Sequence, residues 1–131
     1  MTASPDLIRE LAPTGRLRAA LNFGNIVLAQ RDAQGQPAGV TVDLARELAR
    51  RLGLEVDFLS YESAGVVADQ AQDGVWDIGF MARDPARATG ISFTAPYVII
   101  EGSYLVPAAS PLQTIADVDA GGVRGAVGKG A

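Results

Sequence analysis

Residues 17–80 alternate between the hydrophobic periods of strand and helix, and that alternation limits the fold more than any other feature of the chain. Leu17-Arg-Ala-Ala-Leu21 reads as a short first strand, after the turn Pro13-Thr14-Gly15. Over 41–52, Leu44, Leu48 and Leu52 recur every four residues, and Ala45 and Ala49 widen that face into an amphipathic helix. Asp43 in its first turn, Arg50 and Arg51 in its last, Glu47 four residues before Arg51, and Gly53 as a stop agree with the pattern. Stability therefore accounts for the charges on this helix. Residues 54–59 put Val56 and Phe58 on one face of a second strand, residues 63–73 read as a weaker helix ending at Gly74, and Trp76, Ile78 and Phe80 alternate in a third strand. Strand, helix, strand, helix, strand at crossover spacing predicts an α/β fold, a mainly parallel sheet covered by helices. Trp76 belongs to the core in that arrangement.

The connections are less regular. Residues 31–39 are turn-rich and form a hairpin or a loop. Beyond the third strand come a polar segment at 82–90, a strand-like 91–94, and an apolar run at 97–106 interrupted by Glu101-Gly102. Ser110-Pro111 marks a boundary, Thr114-Ile-Ala-Asp117 resembles a small capped helical turn, and 122–127 would be one more strand. The tail Gly128-Lys-Gly-Ala131 then either frays or pairs with another chain.

Composition removes whole classes of chemistry. The chain has no cysteine and no histidine, which excludes disulfides, thiol nucleophiles, histidine bases and most zinc sites. Fifteen acidic residues against 11 basic ones give a formal charge of -4, with the basic residues scattered, so nucleic acid is not an expected partner. The first eleven residues contain Asp6, Arg9 and Glu10 and do not read as an export signal, and no stretch approaches the roughly 20 apolar residues of a membrane span. No cofactor is called for.

In an open parallel sheet, ligands sit beyond the carboxyl ends of the strands. That rule selects Asn22, Phe23, Gly24 and Asn25 after the first strand, Ser60, Tyr61 and Glu62 after the second, and 81–87 after the third. Phe23 and Tyr61, at strand ends, fit either core or ligand contact. Arg83 and Arg87 flank Asp84-Pro85, and an arginine there could hold a ligand carboxylate through two parallel hydrogen bonds or lie in solvent paired with Asp84. Gly128-Lys129-Gly130 lacks the spacing of a phosphate loop.

The succession Gly35-Gln-Pro-Ala-Gly39-Val-Thr-Val-Asp43-Leu-Ala-Arg-Glu-Leu-Ala-Arg-Arg-Leu-Gly53, then Asp73-Gly74-Val-Trp-Asp77-Ile, Pro85-Ala-Arg87 and Phe93-Thr94-Ala-Pro96-Tyr97 resembles the family 3 solute-binding proteins of polar amino acid ABC transporters. The resemblance implies a type II periplasmic binding fold, in which two lobes joined by crossing strands clamp a small ligand. It divides the chain into a lead-in at 1–16, a first lobe with an outward crossing strand at 17–106, and a hinge with the incomplete start of a second lobe at 107–131.

The same resemblance assigns roles. Arg87 falls where the family's carboxylate-gripping arginine lies, Asn22 to Asn25 would line the ligand side chain, and Met81, Ala82, Arg83 and Asp84 would meet its polar groups. This chain departs from the family by a shorter segment before Arg87 without the usual Ser/Thr residues, which leaves Asp84 to meet a ligand amine or leaves the ligand a small carboxylate. An ABC permease is the implied partner of a full-length parent, and the periplasm the implied location, with the cytoplasm open because of the unsignalled start. Loss of the second lobe predicts weak or no binding by a monomer, and the uncovered run at 97–106 predicts a homodimer, with an exchanged terminal strand as one form. Three other readings stay open: a non-binding structural fragment, a sensor module, and a dehydratase-like enzyme using Asp, Glu, Lys or Tyr.

Overall fold

One strand, β1 (Leu17–Asn22), carries the architecture in the computed structural model, which describes residues 3–129. It lies between two parallel neighbours, β4 (Val56–Tyr61) and β5 (Ile78–Gly79), in a sheet ordered β4-β1-β5. Leu17, Ala19, Ala20 and Leu21 are all buried, so both faces of β1 are covered, as a parallel strand between crossover helices requires. The register puts Leu17 beside Val56, Ala19 beside Phe58 and Leu21 beside Ser60 on one face, and Ala20 beside Leu59 and Gly79 on the other.

Each face takes one helix. On the first, α2 (Val40–Leu52) sets the Arg46 guanidinium 5.5 Å from the Phe58 ring centre. On the second, α3 (Ala64–Asp69) receives the Trp76 indole N–H at the Val67 carbonyl, 3.1 Å away, and the Tyr61 hydroxyl donates at 2.9 Å to Gln70 just past the helix. The first crossover runs from β1 out to β4 and the second from β4 back across β1 to β5, so two right-handed connections made in opposite directions place their helices on opposite faces of the sheet.

The expected α/β pattern holds, with differences in detail. The residues of α2 that are buried are Thr41, Val42, Ala45 and Ala49. Leu44 is 39% exposed, and Leu48 and Leu52 are half-buried. The leucine stripe flanks the contact because small residues on helix and strand allow close approach at its centre. Gly53 closes the helix in a left-handed turn as expected. At its start Gly39 has φ 111°, and a side chain there would stand 2.7 Å from the Leu28 carbonyl oxygen. That carbonyl accepts from both the N–H and the hydroxyl of Thr41, each at 3.1 Å, and so caps the helix in place of a side chain. The turn-rich 31–39 segment is a hairpin: β2 (Gln30–Arg31) pairs antiparallel with β3 (Pro37–Ala38), and the Asp32 carboxylate accepts from the N–H groups of Gln34 and Gln36 at 2.9 and 2.8 Å.

Other expectations are corrected. A helix not anticipated, α1 (Pro5–Leu11), begins with Ser4 accepting from the Leu7 N–H and Pro5 in its first turn. The second crossover helix ends at Asp69 instead of Asp73, and the third strand spans Ile78–Gly79 alone, leaving Trp76 and Phe80 outside it. No strand forms at 91–94, 97–106 or 122–127 among the described residues. Thr94–Gly128 make up a compact unit separate from residues 3–93, and their regular element is α4 (Ile115–Val118). A strand exists only where its backbone is paired, and among the described residues these segments join no sheet; Ile99 is 82% and Leu105 99% exposed. The capped turn is as expected: the Thr114 hydroxyl accepts from the Asp117 N–H, and the Gln113 and Thr114 N–H groups hold the Asp117 carboxylate below its ordinary range. Residues 130 and 131 of the tail lie outside the described residues.

At the amino ends of the strands, Asp77 fastens β5 to β1. Its carboxylate accepts from the Arg18 backbone N–H at 2.8 Å and from the guanidinium at 2.6 and 3.2 Å, while its own N–H donates to the Arg18 carbonyl at 2.9 Å. The Asp77 side chain is 4% exposed. Asp77→Ala is therefore expected to lower stability by about 1–3 kcal/mol, measured by urea unfolding, because it leaves the Arg18 backbone donor and its part-buried guanidinium without their carboxylate. A loss below about 0.5 kcal/mol would show that β5 is held by packing alone.

A second expectation concerns acid. Hydrogen bonds from Arg50 and then Arg51 push the Glu47 carboxyl down to about 2 from its ordinary 4.5. A depressed carboxyl contributes stability above its unfolded pKa and loses it as pH falls through the folded value. The melting temperature of Glu47→Gln should thus lie below that of the parent at neutral pH and converge with it as pH falls from about 4.5 towards 2.

Candidate functional site

The carboxyl ends of β1 and β4 continue into loops that remain in contact. Beyond the last paired residues, the Phe23 N–H donates to the Tyr61 carbonyl at 2.9 Å. A side chain at Gly24 would stand 2.7 Å from the Glu62 carbonyl, so glycine is required for this approach. The Asn22 side-chain oxygen accepts from the Gly24 N–H at 2.9 Å, and that of Asn25 from the Val27 N–H at 3.3 Å. Both asparagines shape the turn through these oxygens.

The strand pleat separates the predicted residues by face. Ser60 lies on the face of Leu21, and Phe23 stands in the turn that follows β1. Tyr61 lies on the opposite face with its hydroxyl committed to Gln70. Across Phe23 and Ser60 runs a side chain that sequence reasoning passed over. The Arg31 guanidinium sits 4.4 Å from the Phe23 ring centre, donates to the Ser60 hydroxyl at 3.2 Å, and is steadied by the Gly35 carbonyl at 3.2 Å. The pairing of Arg31 with Pro37 positions it, and no local motif announces that placement.

The segment after β5 forms a second group. Arg87 opens a 3-10 turn (Arg87–Thr89), is half-buried, and donates to the Ala82 carbonyl at 3.4 Å. The Asp84 carboxylate accepts from the Ala86 N–H at 2.8 Å and its carbonyl from the Ala88 N–H at 2.9 Å, so Asp84 builds the turn that presents Arg87. Met81 is half-buried with its methyl against Gly79, and Ala82 and Arg83 are exposed. Arg87 also borders an open cleft of about 530 Å³, with Gly65, Ala68 and Gln72 along its other wall, where the Gln72 amide donates to the Gly90 carbonyl at 2.7 Å.

Charge is distributed unevenly between the two ends of the sheet. At the amino ends Arg16 pairs with Asp57 at 2.7 Å and Arg18 with Asp77, and on α2 Arg46, Arg50 and Arg51 pair with Asp43 and Glu47. Asp57 is held below its ordinary range by the Arg16 hydrogen bond. At the carboxyl ends, Arg31 and Arg83 have no carboxylate partner among the described residues. No group of three or more acidic or other metal-binding side chains is assembled among those residues, and no described helix is long and apolar enough to cross a membrane.

A parallel sheet whose loops gather beyond its carboxyl ends defines a class, the α/β lobe that takes small ligands at that edge. The sequence profile of the bacterial extracellular solute-binding proteins, family 3, matches residues 25–127, and the chain belongs to that family. Its single lobe is consistent with one lobe of a type II periplasmic binding fold, and family membership implies a location outside the cytoplasm. Among solved structures, an ancestral cyclohexadienyl dehydratase is similar over 75% of this chain and 40% of its own, at 27% identity and a TM-score of 0.62. A binding component of an ABC transporter from Wolinella succinogenes, complexed with lysine, matches at 28% identity and TM-score 0.59, over 65% of this chain and 37% of its own. A variant of domain 1 from TmArgBP, in its arginine-bound form, matches at 29% identity and TM-score 0.61, over 70% of this chain and 71% of its own. The chain thus spans about 40% of the length of the first of these.

Proposed function

We propose that the chain supplies the first lobe of a receptor for a small polar solute, an amino acid or related carboxylate, taken up through an ABC permease from the periplasm. Membership in the solute-binding family carries this reading. Arg87 is the carboxylate anchor: its turn is built by Asp84, and its planar fork matches two carboxylate oxygens. Asn22, Phe23, Gly24 and Asn25 line the solute's other end, and Met81, Ala82 and Arg83 border the anchor. Tyr61 acts through the packing of β4 on α3. Binding is favoured over catalysis because an enzyme of this shape needs an acid or base opposite Arg87, and the carboxylate of Asp84, its neighbour in the turn, accepts from the Ala86 N–H. An arginine-bound single domain among the similar structures supports assigning part of the binding surface to one lobe.

The test is a thermal-shift panel of amino acids and small carboxylates at millimolar concentration. At least one is expected to raise the melting temperature of the parent chain, and Arg87→Ala should weaken that ligand by roughly tenfold to a hundredfold, the worth of hydrogen bonds to a charged group. Arg87→Ala binding as well as the parent would remove the anchor role. Submicromolar affinity in the isolated lobe would contradict the expectation that a second lobe supplies much of the binding.

The exposed apolar side chains of Ile99, Ile100 and Leu105 support a homodimer of the isolated chain, with exchange of its terminal segment as the form proposed. Light scattering should return twice the chain mass at high concentration, and a monodisperse monomer would exclude this assembly.

A further inference from the structure

The similar structures include a lysine complex and an arginine-bound domain. The edge of this lobe is built for the opposite charge. Phe23 follows β1, where a ligand side chain would lie against its ring, but one side of that ring already carries the Arg31 guanidinium at 4.4 Å. A cationic ligand seeking the same attraction would have to displace Arg31 or meet a like charge beside it.

The donors of Arg31 are only partly used. A guanidinium has five N–H donors; here one bond goes to the Gly35 carbonyl and one to the Ser60 hydroxyl, both at 3.2 Å. Because the Ser60 oxygen accepts from Arg31, the hydroxyl hydrogen of Ser60 is left to donate elsewhere. The pair therefore offers donors and no competing anion. Asp32, next in sequence, turns its Oδ1 to the hairpin N–H groups of Gln34 and Gln36 and makes no ion pair with Arg31. Glu62, two residues beyond Ser60, makes no ion pair with Arg31. Arg83, exposed after β5, adds a further cation with no carboxylate partner among the described residues. This contrasts with the amino ends of the strands, where Arg16 and Arg18 are each paired.

We propose that Arg31, held over Phe23 and Ser60 by the β2–β3 hairpin, selects a solute with an acidic side chain, a dicarboxylic amino acid or small dicarboxylate, and rejects cationic ones. The inference rests on the site reading above and assigns it a substrate class. The solute's acidic side chain meets the Arg31 fork and the Ser60 hydroxyl.

The experiment is calorimetric titration of the chain with glutamate, aspartate and succinate against glutamine, lysine and arginine, repeated with Arg31→Gln and with circular dichroism as the folding control. Glutamate or aspartate is expected to bind at least about tenfold tighter than lysine or arginine, and Arg31→Gln to erase that ratio while changing glutamine affinity by less than about threefold. Tighter binding of lysine or arginine, or an unchanged ratio in Arg31→Gln, overturns the proposal while leaving the site reading in place. Silence towards every compound overturns both. Should Arg31→Gln fail to fold, Ser60→Ala provides the same test, with selective loss of the acidic ligands expected and an unchanged ratio counting against the proposal.

Discussion

Two residues of pairing cannot hold a strand by themselves, and β5 is only that long. What keeps it beside β1 is the Asp77 carboxylate, which takes both the backbone N–H and the guanidinium of Arg18 while the Asp77 N–H returns a bond to the Arg18 carbonyl. Arg18 also donates to the Gly74 carbonyl at 2.7 Å, so the turn that leads into β5 is fixed by the same side chain. The clasp sits at the amino end of the sheet, yet its effect is felt at the carboxyl end. There the chain leaves β5 through Met81 towards the Asp84 turn and Arg87, and the position of that turn follows from where β5 is held.

Charge follows the same polarity. The basic side chains at the amino ends and on α2 are matched by carboxylates, a use consistent with stability. At the carboxyl ends Arg31 and Arg83 lack such partners among the described residues, and Arg31 is held instead by an aromatic ring, a hydroxyl and a carbonyl. Neutral partners orient a cation without cancelling its charge. An orienting shell of that kind suits recognition of an anion more than it suits folding.

The elements with their own periodicity were legible before the structure. The helix that became α2 announced itself through spacing, charge order and Gly53, and the capped turn at Thr114 through its hydroxyl and Asp117. The choice of buried face on α2 was not legible, because it depends on the small Ala19 on the sheet face beneath the helix and not on which helical residues are largest. The strands expected at 91–94, 97–106 and 122–127 illustrate the opposite error: β propensity is present, but a strand exists only as part of a pair. The candidate positions were located by strand order together with a family resemblance. Tyr61 went to the other face for a reason of pleat alone.

The sequence by itself determined the alternation of elements, the parallel sheet that follows from it, the family to which residues 25–127 belong, and the absence of thiol and imidazole chemistry. These depend on local periodicity and on composition, which a single chain displays in full. Tertiary structure alone decided that Arg31 lies over Phe23 and Ser60, that Asp84 serves its own backbone, and that Asp77 secures β5. Each of those contacts joins groups whose separation is set by strand register, hairpin pairing or turn closure, and such distances have no signature in the order of the residues.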